Sequence, residues 1–245
     1  MDISESDTQQ PRPTLKRPPP LKIPIRMPII MEIPEEMIEW HGILLPAGDC
    51  ESPVTPSHWT MRIEEPIIKY YFDLVVETLT LIRNKVKFNL KWMDIQPTEF
   101  LPNMYLGSYY DLSKLKHAAR VSVLEDFSLI HLLEGDDKNL AINKLEINAK
   151  DDGDTNIMEH FNKISDFLDK QSEDEIKIIH CVAGMNRSAT LAVAYYMHKT
   201  QCSLLYALQH MVTLRPIILR NENFLKQLIV WAYDNCYNIV DMAAC

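Results

Sequence analysis

The stretch His180-Cys181-Val182-Ala183-Gly184-Met185-Asn186-Arg187-Ser188 places a thiol, a guanidinium and a hydroxyl on one short piece of chain. It follows the apolar run Ile176 to His180, which reads as a buried central strand, and leads into an apolar segment that reads as a helix from Ser188 to Thr200. A tight loop between a strand and a helix N-terminus turns backbone N–H groups inward and suits a phosphate dianion. Gly184 lets such a loop close. The same field favours Cys181 as the thiolate, the form that attacks phosphorus. Arg187 supplies a planar, permanently charged fork that fits two phosphate oxygens. Ser188 can donate a hydrogen bond to the sulfur, making the thiolate a better leaving group when a phosphocysteine is hydrolysed. His180 is expected to orient the loop through backbone contacts. The bland alternative is that Cys181 is one more buried thiol and Arg187 a surface charge. It leaves the fixed spacing and the strand-to-helix context unexplained.

The elements that must hold this loop follow from apolar periodicity. Short apolar runs alternate with helical segments from about Glu99 onward, an α/β pattern. Strands are predicted at Met104–Leu106, Arg120–Leu124, Leu145–Asn148 and Ile176–His180, and helices at Ile157–Lys170, Ser188–Thr200, Ser203–Leu214 and Asn223–Cys236. Upstream, Ile68, Phe72, Val75, Leu79, Ile82 and Val86 fall on one face of a helix, spacing that fits packing on its own domain or a homodimer contact through residues 66–86. Val86, Phe88, Leu90 and Trp92 then alternate with Lys85, Lys87, Asn89 and Lys91, the period of an edge strand.

The front of the chain differs in composition. Of the fifteen prolines, all but Pro102 and Pro216 lie at or before Pro97. Residues 1–60 read as a solvated, disordered tail without Pro-x-x-P spacing between Pro11 and Pro34. Three parts are therefore expected: this tail, a helix-and-strand extension over 61–96, and one domain over 97–240. A net charge of −9 offers no field for a polyanion, so nucleic acid is not an expected partner. The five cysteines show no metal-ligand or paired spacing, which points to reduced thiols in the cytosol or nucleus and to no metal site. No segment reads as a leader, a membrane span or a lipid anchor.

The motif resembles a known family. His180 to Ser188 carries the signature of cysteine-based protein tyrosine phosphatases, and Ser188-Ala189-Thr190-Leu191-Ala192-Val193-Ala194-Tyr195-Tyr196-Met197 is similar to its dual-specificity branch. Arg215-Pro216-Ile217-Ile218 with Asn221 and Phe224 resembles the closing segment, and Asn103 to Ser108 the opening strand, so the likeness runs over about residues 97–238. Asn186 stands where this branch usually has Ser, Arg220 where Pro is common and Asn223 where Gly is common, and Lys114 to Leu145 matches poorly. With no rhodanese-like docking domain expected ahead of it, the resemblance is to the small, atypical members.

The resemblance implies a mostly parallel sheet of about five strands flanked by helices, with the proline-rich segment as an extension. It implies Asp151 as proton donor on the loop after Leu145–Asn148, with Asp152 the next candidate, and a supporting role for Asn221. The competing reading of Asp151, Asp152 and Asp154 is a solvated, helix-capping loop. The implied activity is hydrolysis of phosphotyrosine and phosphoserine or phosphothreonine in proteins, with no cofactor. The uncharged loop positions Val182, Ala183, Met185 and Asn186 suit a single phosphate. The alternatives are a phosphoprotein-binding module without turnover, or a phosphatase acting on RNA 5′-phosphates or phosphoinositides.

Overall fold

The computed structural model describes residues 65–85, 96–115, 117–127 and 143–240. The expected tail over 1–60 and the edge strand from Val86 to Trp92 lie outside them.

Five strands form one sheet: β1 (Thr98–Leu101), β2 (Met104–Ser108), β3 (Ala119–Leu124), β4 (Lys144–Asn148) and β5 (Lys177–Cys181), in the order β1-β2-β5-β3-β4. All neighbours are parallel except the antiparallel pair β1 and β2. The continuous apolar run of β5 belongs at the centre because both its faces are covered, and every residue of it is buried. β1 is an addition to the expected strands: four residues between Pro97 and Pro102 are too short to show a period. Asn103 turns the chain back into β2 at φ 60, a conformation that Asn tolerates.

The helices are α1 (Pro66–Lys85), α2 (Phe161–Asp169), α3 (Arg187–Thr200), α4 (Leu204–Leu214) and α5 (Glu222–Asp234). The segment expected as one helix from Ile157 opens with a 3-10 turn, Ile157–His160, before α2. α3 is buried from Arg187 through Met197, as a helix apolar on all sides must be, and packs against β5, β2 and β3 and the other C-terminal helices. Ile68, Val75, Leu79 and Ile82 of α1 are buried against the same body, with α1 lying on α4 and α5. The face considered for a homodimer is therefore occupied within the chain. No helix among the described residues is long and apolar enough to cross a membrane.

Because β2, β3, β4 and β5 run parallel, their C-terminal ends open on one edge of the sheet. In such sheets that edge is where ligands bind.

Candidate active site

Cys181 ends β5 with 2% of its surface exposed, and the Ser188 hydroxyl donates to its sulfur at 3.1 Å. Between them the chain bends through residues 182–186 and enters α3 at Arg187.

The loop is gripped from outside by its carbonyl oxygens. Tyr109 N–H donates to the Val182 carbonyl at 3.2 Å, Arg215 Nη2 and Nε to those of Ala183 at 3.4 Å and Gly184 at 3.0 Å, and Leu219 N–H to that of Met185 at 2.8 Å. In a trans peptide the following N–H points the opposite way, so these outward carbonyls turn the amides of residues 183–186 toward the hollow. Gly184 sits at φ 65, and a Cβ there would lie 2.4 Å from the Gly107 carbonyl oxygen, so no other residue fits.

Arg187 is buried and anchored through Nη1 to the Ala149 carbonyl at 3.0 Å. Its Nε is buried without a hydrogen-bond partner among the described residues and lies 4.0 Å from Asp151 Oδ2. An orphaned guanidinium N–H is costly unless an anion completes it. Asp151, on the loop after β4, accepts from Asn221 Nδ2 at 2.9 Å and from Asn186 Nδ2 at 3.2 and 3.1 Å, with about a third of its side chain (32%) open to solvent. Asp152 turns elsewhere. Its Oδ1 accepts the N–H groups of Thr155 at 2.8 Å and Asp154 at 3.0 Å, bonds that hold its carboxyl below the usual range. Asp152 thus closes a turn ahead of the 3-10 segment, whose N-cap is Asn156, while Asp151 lies beside the phosphate loop.

Asn221 caps α5, accepting from Asn223 N and Phe224 N, and its amide reaches back to Asp151 and the Asp152 carbonyl. Gln227 of α5 holds the same segment through Ile157 N–H and the Thr155 carbonyl, each at 2.8 Å. His180, expected to work through backbone contacts, pairs its Nε2 with Ser122 Oγ of β3 at 2.6 Å and also interacts with the backbone of Cys181. Burial, then the nearby Arg120, pushes the ring down to about 3, so it is neutral.

Two supports were not read from the sequence as such. Arg215, placed only within a closing segment, is a buried clamp that also donates to the Gln96 carbonyl and Thr98 Oγ1. Burial lowers its pKa, opposed by the charges of Asp111 and Cys181. Asp111 is buried and accepts from Ser108 N–H at 2.8 Å and Oγ at 2.9 Å. An arginine just before a proline at a helix end was the available signal. Neither Cys181 nor Cys202 is in a disulfide, whereas Cys236 is disulfide-bonded, which departs from the expectation of reduced thiols throughout.

The model of the dual specificity phosphatase catalytic domain matches residues 104–234. The chain belongs to this family. Among its relatives, Dual specificity protein phosphatase 1 of Arabidopsis thaliana is 27% identical over 185 residues, covering 71% of this chain and 88% of the relative. Dual specificity protein phosphatase 16 of Homo sapiens is 31% identical over 137 residues, 56% of this chain but 21% of the relative. The chain thus spans between about a fifth and nearly nine tenths of these family members. Among solved structures, OH1 from the Orf virus, a tyrosine phosphatase, covers 68% of this chain and 99% of its own with a TM-score of 0.50 at 24% identity, a likeness of fold.

Proposed function

We propose that the chain hydrolyses phosphomonoesters on proteins through a phosphocysteine on Cys181. The observation that carries this reading is the 3.1 Å hydrogen bond from Ser188 to a sulfur seated under a loop of inward amides, with Arg187 and Asp151 beside it.

The phosphate sits in the hollow of residues 182–187, its oxygens held by the amides and by the Arg187 fork. Cys181 attacks phosphorus as the thiolate. The S–P bond forms as the P–O ester bond breaks, and the Asp151 carboxyl gives its proton to the departing oxygen. Water then attacks the phosphocysteine while the Asp151 carboxylate takes its proton. The S–P bond breaks, phosphate leaves, and the electron pair returns to a sulfur stabilised by Ser188. Loop and guanidinium are aimed at charge that grows in both transition states, where preorganised donors act most strongly.

The substrate reading rests on the loop's side chains. Val182, Ala183, Met185 and Asn186 add no positive charge, which suits one phosphate on a polypeptide and gives a multiply phosphorylated inositol no further cation in the loop. Val182 is 49% exposed and offers an apolar lip for the residue that bears the phosphate, aromatic or aliphatic.

Purified protein should turn over an aryl phosphate, phosphotyrosine peptides and phosphothreonine peptides, and Cys181→Ser should abolish all three while still binding them. Full-strength binding without turnover by the unmodified protein would instead make it a phosphoprotein-binding module.

A further inference from the structure

A helix that lies ahead of the family-matched span reaches the connection that holds the phosphate loop. α1 covers Pro66–Lys85, whereas the match begins at residue 104. Since α1 lies across α4 and α5, its C-terminal end reaches the connection between them, residues 215–221. There Arg83 Nη2 donates to the carbonyls of Ile218 at 2.7 Å and Leu219 at 3.2 Å. Leu219 is held at φ 58, a left-handed conformation that a leucine seldom adopts unaided. Its own N–H donates to Met185 in the phosphate loop at 2.8 Å, and the next two amides, Arg220 and Asn221, donate to Asn186 Oδ1 at 2.9 and 3.2 Å.

We propose that Arg83 is a positioning residue for the phosphate loop, fixing the Ile218 and Leu219 carbonyls so that the amides of Leu219, Arg220 and Asn221 hold Met185 and Asn186 in their anion-binding arrangement. α1 is then a working part of the active site in this chain and not only a cover for α4 and α5. Burial, followed by repulsion from Arg220, holds the Arg83 guanidinium down to about 10, still charged at neutral pH. The inference rests on the phosphatase reading. Loosening the loop misplaces donors that matter most to the transition state, so kcat should fall more than KM changes.

The test uses the full chain and three readings: Tm, the kcat and KM for an aryl phosphate, and the affinity for inorganic vanadate. Arg83→Met keeps the stem and removes the donors. It should lose about tenfold in kcat and in vanadate affinity with KM nearly unchanged. Leu79→Ala, from the buried face of the same helix, should lower Tm yet keep wild-type kcat and vanadate affinity at a temperature where it is folded. Should Arg83→Met fail to fold, Arg83→Leu, which also removes the donors on a shorter apolar stem, is read by the same criteria. Wild-type kcat and vanadate affinity in the folded Arg83 variant would overturn the inference and leave the phosphatase reading intact. So would an equal loss of both in folded Leu79→Ala. A wild-type protein that neither turns over the ester nor binds vanadate would overturn both.

Discussion

The Asn186 amide nitrogen lies 3.2 and 3.1 Å from the two carboxylate oxygens of Asp151, and its oxygen accepts the N–H groups of Arg220 and Asn221. Donors face the oxygen and acceptors face the nitrogen, so the network fixes the orientation of the amide. One side chain of the phosphate loop therefore ties the loop after β4 to the start of α5. The serine usual at this position in the resembling branch is too short to do both.

Asn186→Ala should accordingly impair hydrolysis of phosphothreonine peptides by about tenfold or more and that of activated aryl phosphates much less, because only the alkoxide needs a well-placed proton. Asn186→Ser should fall between. Steady-state kinetics on both substrate classes checks this, and an equal loss on both would count against it.

Arg187→Lys should cost at least about a hundredfold in kcat/KM although the charge is kept. A lysine offers a point charge where two phosphate oxygens and the Ala149 carbonyl need a planar fork. Turnover near the wild-type level would remove Arg187 from its proposed role.

Asp152→Ala should lower Tm through loss of the turn it closes on Asp154 and Thr155, and leave the dependence on leaving group as in the wild type. If this variant instead selectively loses phosphothreonine hydrolysis, the proton donor is one residue from where it is proposed.

His180 gives stability a definite pH dependence. Its folded pKa of about 3 lies below the ordinary 6.5, so the unfolded chain takes up the proton first as pH falls. The stability that the neutral ring contributes is complete above about 6.5 and is lost progressively toward about 3. His180→Gln does not titrate. The stability gap between wild type and this variant, from denaturant melts at pH 7, 6 and 5, should therefore narrow with acid, and a constant gap would contradict the assignment.

Much of this architecture was legible because it rests on local signals. The apolar run into Cys181, the apolar helix after it and the alternation from Glu99 onward gave the parallel strands and four C-terminal helices to within a few residues. What escaped was long-range. β1 has only four residues, and its pairing with β2 gives it its form. Arg215 and Asp111 look like surface charges in the sequence, and only the folded chain shows them buried against the phosphate loop and the end of β2. Asp151 and Asp152 are adjacent carboxylates that spacing could not separate. They part because Asp152 is consumed by a turn while Asn186 and Asn221 hold Asp151.

The central claim, a phosphocysteine formed on Cys181 and cleared with help from Asp151, is tested most directly by rapid mixing of Asp151→Asn with an activated aryl phosphate. The first step can proceed without a proton donor, but the second has lost its base. The account predicts a burst of phenol near one equivalent per protein molecule, followed by slow turnover, with the phosphoryl group found by mass spectrometry on the peptide that carries Cys181. A phosphoryl group on another residue, or unchanged turnover in Cys181→Ser, would contradict it.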